Sequence, residues 1–192
     1  MFFFFSFQLL IAQKSLLKNF PEGYTPDEIG RRISYRFVTE KHALHAGKWI
    51  GYPETFYWNG ALDYAAVAKD KALIRLLQAR FEHLFTTEKA LLPIKNHVDL
   101  NMFGSLPLEL YWVTKDERYK ELGLPYADTQ WEVPKDAKLS ENEWAKKGYS
   151  WQTRLWIDDM YMITIVQTHA YKVTNDSKYI DRAAKEMVMY LD

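Results

Sequence analysis

Residues Tyr111-Trp-Val-Thr-Lys-Asp-Glu-Arg-Tyr119 return 60 residues later as Tyr171-Lys-Val-Thr-Asn-Asp-Ser-Lys-Tyr179, with five of nine positions identical. A self-match at this period constrains the fold more than any other feature of the chain. It describes helical hairpins stacked side by side, each too thin to bury a core alone. Both copies follow an apolar helical run, and both runs begin with acidic residues the same distance upstream. A weaker third copy, Val67-Ala-Lys-Asp70, aligns with Val113-Thr-Lys-Asp116.

The flanking sequence fits the same picture. Thr25-Pro26-Asp27-Glu28 carries the residues of a capping box with proline at the first helical position, and apolar spacing extends that helix to about residue 40. Further helices are expected over 56–68, 71–85, 99–112, 118–130, 157–173 and 177–190. Gly104 and Pro107 should make the start of the fourth one irregular. Residues 132–150 are polar, contain Pro134 and Gly148, and read as a long surface loop with one turn begun by Ser140-Glu-Asn-Glu143. No segment alternates long enough for a strand. Asp70, Asp116 and Asp176 sit where an N-cap would satisfy the first free amides of the next helix, so they are assigned to structure rather than chemistry. The expected fold is all-α, with stacked hairpins of a size typical of α/α toroids.

The chemistry should lie at the opposite helix ends. Asp99 lies 12 residues before Tyr111, and Asp159 lies 12 before Tyr171, with Asp158 beside it. That spacing is roughly 18 Å of helix. Equivalent helices of stacked hairpins run parallel, so Asp99 and the Asp158–Asp159 pair should share one mouth. Two carboxyl groups flanking a pocket suit sugar chemistry, one donating a proton and the other receiving one. Either aspartate of the pair, taken alone, would serve equally as a helix cap. Aromatics make up 16% of the chain, enough for a large helix-packed core, for platforms against sugar rings, or for both.

Composition narrows the partners. Lys and Arg total 25, as do Asp and Glu, and a chain so balanced offers no field for nucleic acid or an anionic membrane. Cysteine is absent, which removes disulfides, thiolate metal sites and a cysteine nucleophile. No two histidines have metal-ligand spacing with an acidic third partner, so no metal is expected. The apolar run Met1–Gln13 has signal-peptide length and is too short to span a bilayer as a helix. Ala12 offers a small residue for cleavage, although no Lys or Arg precedes the run and Leu10 stands where a second small residue is usual. A signal peptide over residues 1–13 implies a secreted or periplasmic protein; a buried N-terminal element instead implies a cytoplasmic one.

Trp156-Ile-Asp158-Asp-Met-Tyr-Met162 resembles the tryptophan–hydrophobic–aspartate signature of the unsaturated rhamnogalacturonyl hydrolases, glycoside hydrolase family 105. These are related to the unsaturated glucuronyl hydrolases of family 88. His97-Val-Asp99 with Gly104 resembles their first acidic motif, and Tyr57 with Gly60 the aromatic start of an early inner helix. The resemblance covers roughly residues 25–192. It implies an (α/α)6 toroid that hydrates the C4=C5 double bond of an unsaturated uronic acid at an oligosaccharide end, without a cofactor. It further implies Asp158 as general acid/base, Asp99 as its partner, and Tyr57 and Trp156 as shapers of the sugar pocket. The strict repeat register pairs Asp159 with Asp99, whereas the motif selects Asp158. His97, Arg154 and Trp58 are added as candidate sugar contacts, Arg154 because its guanidinium suits a uronate.

Six such hairpins need well over 300 residues, and residues 14–192 hold about three. The expectation is therefore the N-terminal part of a single toroid domain, which would self-associate or meet a complementary half. Two other readings stay open: a helical-repeat module that binds carbohydrate or protein without catalysis, and another α/α-toroid enzyme such as a sugar epimerase.

Overall fold

The computed structural model describes residues 19–42 and 47–191, so the signal-peptide reading of residues 1–13 lies outside the described residues. Helix α1 (Pro26–Thr39) starts from the capping box anticipated at Thr25, whose side chain takes the Glu28 amide while Glu28 reaches back. Helices α2 (Tyr52–Val67) and α3 (Lys71–Glu82) form the first hairpin. The second begins with α4 (Val98–Asn101), tightens into a 3-10 turn at Met102–Gly104, continues as α5 (Ser105–Thr114) and returns as α6 (Glu117–Thr129). Helix α7 (Leu139–Lys146) follows, and α8 (Ile157–Thr174) with α9 (Ser177–Leu191) makes the third hairpin. No strand occurs among the described residues. The segment expected to hold a single turn in a loop forms two turns of helix instead. Glu141 caps it by accepting the Lys138 amide.

The three hairpin turns share one local solution. Lys69, Lys115 and Asn175 each adopt positive φ, at 55°, 61° and 57°. That left-handed step reverses the chain within two residues and brings the following aspartate to the helix start. Asp70 accepts the Ala72 and Leu73 amides, Asp116 the Arg118 amide, and Asp176 the Lys178 amide. Hydrogen bonding to the Leu73 amide, assisted by Tyr35, holds the Asp70 carboxyl below its ordinary range although partial burial opposes it.

Helices α2, α5 and α8 lie side by side in one layer, and α3, α6 and α9 each pack against the helix before them. This two-layer stack is consistent with an α/α toroid. An aromatic spine ties the first two hairpins together: Trp58 on Phe81 at 5.6 Å, Phe81 on Phe103 at 5.9 Å, and Phe103 on Tyr126 at 5.3 Å between ring centres. Edge-to-face and offset pairs of this kind add about 0.5–1.5 kcal/mol each beyond simple burial. Much of the chain's aromatic content is thus core. Buried amides cross-tie the hairpins: Asn59 donates to Ser105 Oγ at 2.8 Å, and Gln167 to the Ala127 carbonyl at 2.7 Å.

Gly104 explains the irregular start of the second hairpin. A Cβ there would stand 2.4 Å from Tyr126 Cβ, and one on Gly123 would stand 2.6 Å from Leu108 Cγ. The two helices approach glycine to glycine. Gly104→Ala is therefore expected to destabilise the fold by about 1–3 kcal/mol through overpacking. A urea midpoint equal to wild type would show that the interface yields without cost.

Candidate active site

Two inner-layer helix starts converge on one side chain. Asp99 is the second residue of α4, and Asp159 the third of α8. Arg154, just before α8, spans them. Its Nη2 donates to Asp99 Oδ1 at 2.9 Å and to Asp159 Oδ1 at 2.5 Å, and its Nε donates to both Asp159 oxygens at 3.1–3.2 Å. The Arg154 amide also donates to Asp159, at 3.1 Å. Asp159 is fully buried, so this pairing replaces the water it has lost. Hydrogen bonds donated to Asp159 raise the Arg154 guanidinium above its ordinary value, outweighing its partial burial. Leu155 supplies the bend at φ 62°, a strained step for a leucine that folds Arg154 back over the helix start.

Asp158 has the opposite environment. One residue earlier on α8, it points to the exposed side, and its carboxylate has no hydrogen-bond or ion-pair partner among the described residues. The two adjacent aspartates thus divide into one sealed and one open. Trp156, at the helix cap, is 60% exposed, and Arg154 Cζ lies 4.5 Å from its ring centre.

His97 caps α4 by accepting the Asp99 amide at Nδ1, 3.3 Å away. Nε2 of the same ring faces Arg154 Nη1 at 3.3 Å, and the position of the ring proton decides which of the two nitrogens accepts. His97 and Asp99 line a cavity of about 220 Å³ with Trp49 and Tyr52. Tyr52 packs edge-on against Phe56 at 6.1 Å, and Phe56 stacks on Tyr161 at 5.1 Å. Tyr161 stands three residues after Asp158, on the same side of α8. A continuous aromatic wall therefore runs from the Asp99 cavity to the open aspartate. Tyr52, Phe56 and Tyr161 were not singled out from the sequence; their i, i+4 spacing on α2 and the Asp158–Tyr161 spacing on α8 were the available signals.

Of the expected sugar contacts on α2, one is sealed and one lines a separate groove. Trp58 is fully buried in the spine, against Phe37, Phe81 and the Arg80 guanidinium, and cannot meet a ligand. Tyr57 is exposed but stacks on Phe37 and lines a groove between α1 and α2, not the cavity that holds Asp99. On α2 it is Tyr52, five residues earlier, that reaches the site.

Further along the same helices, Glu109 of α5 meets His169 and Lys172 of α8 at 3.3 and 2.8 Å. Burial alone would raise this carboxyl, but hydrogen bonds and charge from His169 and Lys172 outweigh it and hold the group at about 2. Nearby Asp63 is raised by burial and by Glu109. Among the described residues, no group of three or more His, Asp or Glu is arranged to hold a metal ion, and no helix is long and apolar enough to cross a membrane.

Two outcomes follow from these pairs. Arg154→Ala leaves Asp159 buried and unpaired, and should cost about 3 kcal/mol in urea unfolding; a loss under half that would show Asp159 finds water instead. Glu109 is depressed in the fold, so its stabilisation is complete above the ordinary glutamate value of 4.5 and fades as pH falls toward 2. Glu109→Gln should flatten the stability–pH curve in that window, and an unchanged slope there would contradict the pairing.

The sequence model of one protein family, described as Glycosyl Hydrolase Family 88, matches residues 27–190. No curated protein and no solved structure matches the chain.

Proposed function

The chain belongs to glycoside hydrolase family 88, and on that premise we propose that it removes an unsaturated uronic acid from an oligosaccharide end by hydrating the sugar's C4=C5 bond. Asp158 acts as the general acid and then the general base. It gives its proton to C4, and the vinyl ether becomes an oxocarbenium-like cation at C5. Water adds at C5 and returns a proton to the Asp158 carboxylate. The hemiketal so formed opens by breaking its C5–ring oxygen bond, and C1 then releases the rest of the saccharide as an alcohol. The net change is one water consumed and one glycosidic bond broken.

The observation that carries this reading is the contrast between neighbours. Asp158 is open and unpartnered beside Trp156 and Tyr161, whereas Asp159 is sealed on Arg154. Only the open carboxyl can approach a substrate carbon without first breaking a buried ion pair. Asp99 lines the cavity, with one oxygen held by Arg154, and serves as the partner that anchors the sugar. The Arg154 fork is occupied by two carboxylates, so its role here is positioning rather than uronate binding. Tyr52, Phe56 and Tyr161 supply the apolar wall for the flat, unsaturated ring.

The finer form of the proposal is a rhamnogalacturonan-type substrate, with the uronide linked to rhamnose. Support for it comes from the Trp156-Ile-Asp158 and His97-Val-Asp99 motifs.

Hydration and ordinary glycoside hydrolysis are separable in heavy water. Hydration places one deuterium at C4 of the product and abolishes the absorbance of the conjugated double bond. Product that keeps its double bond and carries no deuterium would exclude the proposed chemistry.

A further inference from the structure

Arg154 reaches the site on a short segment, residues 150–154, which one acid of α9 holds from behind. That acid, Glu186, is fully buried. Its Oε2 accepts the Ser150 amide at 3.1 Å, and its Oε1 lies 2.5 Å from Thr153 Oγ1. Thr153 Oγ1 also stands 2.9 Å from the Ser150 carbonyl, which accepts the Thr153 amide as well, at 3.3 Å. A hydroxyl has a single proton to give. If that proton goes to Glu186, the Ser150 carbonyl keeps only the longer amide bond. If it goes to the Ser150 carbonyl, the proton between Thr153 and Glu186 must come from the carboxyl. The same heavy-atom positions therefore serve an ionised and a protonated Glu186, and the protonated form satisfies every partner.

The surrounding charges favour the protonated form. Asp99 and Asp159 already share one guanidinium, that of Arg154. Ionising Glu186 behind Asp159 takes this group from one unmatched negative charge to two. The cations of α9 near it are engaged elsewhere: Lys185 Nζ donates to the Lys147 carbonyl at 2.7 Å, and Arg182 lies 3.8 Å from Asp128. Among the described residues no cation forms an ion pair with Glu186. Tyr190, one turn further on, is raised by burial and by the Asp159 and Glu186 charges, so it brings no compensating charge. Burial pushes the Glu186 carboxyl above the ordinary glutamate value of 4.5, and Asp159 adds to this. The bonds from Thr153 and Ser150 and the charge of Lys185 oppose the rise without cancelling it.

We infer that Glu186 is a positioning residue worked by its own proton: protonated, it grips residues 150–154 and holds Arg154 across Asp99 and Asp159; ionised, it slackens that grip. Loss of the proton acts twice. It withdraws the Thr153 hydroxyl from the Ser150 carbonyl, and it sets a like charge behind Asp159 that draws on the same guanidinium. A carboxyl raised in the fold adds stability while it stays protonated, and that contribution is lost as pH rises through its folded value. The window lies above 4.5, on the opposite side from that of Glu109.

Glu186→Gln fixes the neutral state, because its amide offers Thr153 a donor and the Ser150 amide an acceptor. Tm of the full chain is followed against pH for both proteins. The variant should gain on wild type as pH rises above 4.5, by about 2–4 °C once the wild-type carboxyl is ionised. Carbon-13 NMR of the wild-type Glu186 carboxyl should show a titration midpoint above 4.5. Hydrogen exchange at Arg154 Nε reads the positioning itself. Above that midpoint it should be about three- to tenfold faster in wild type than in Glu186→Gln, and equal below it; a purely structural role would give one ratio at every pH. A carboxyl midpoint at or below 4.5 overturns the inference, as do parallel Tm–pH curves or a pH-independent exchange ratio. An unfolded variant also overturns it, and the wild-type carboxyl titration decides without any variant. No substrate enters these readouts, so their failure is distinct from failure of the proposed reaction.

Discussion

The Arg154 clasp is the constraint on which the site depends. A fully buried carboxylate at the start of α8 must be neutralised, and among the described residues the cation that does so, Arg154, comes from immediately before that helix. Folding the chain back to deliver Arg154 requires the left-handed step at Leu155. Once there, the spare Nη2 contact reaches Asp99 and locks α4 against α8. Trp156 and Asp158 then project outward because the residues around them are fixed. Burial of one aspartate thus exposes its neighbour in a defined place.

The anchoring extends behind the site. Glu186 of α9 is buried and accepts from Ser150 and Thr153, and burial raises its carboxyl above the usual range despite those hydrogen bonds. The outer helix therefore holds the segment that presents Arg154, and the inner helix receives it. Cross-links of this sort connect both layers to the mouth, so the site does not rest on a free loop.

Legibility from sequence followed the range of the interactions involved. Asp70, Asp116 and Asp176 were readable as caps because a cap is decided within three residues. The irregular turn at Gly104 was readable for the same reason, although its cause, the approach to Gly123 and Tyr126, was not. The choice between Tyr57 and Tyr52 was not readable. Helix α2 is buried by neighbours on several sides, with Glu54, Thr55, Trp58, Asn59, Ala61, Leu62 and Ala65 all inside, so no polar stripe marks its open face. The burial of Trp58 was not readable for the same reason. Arg154 was noticed for its chemistry, but its partners depend on a non-helical bend that spacing arguments do not cover. Asp158 and Asp159 differ by one residue, about 100° around a helix, and only the packing of α8 separates their roles.

That separation is the central claim, and a paired comparison tests it most directly: Asp158→Asn and Asp159→Asn, each measured for turnover of an unsaturated uronyl disaccharide and for its urea midpoint. The account predicts that Asp158→Asn keeps the wild-type midpoint and loses turnover by about 10²-fold or more, whereas Asp159→Asn lowers the midpoint markedly by leaving Arg154 without its buried counter-charge. Full turnover in Asp158→Asn, or an unshifted midpoint in Asp159→Asn, would contradict it.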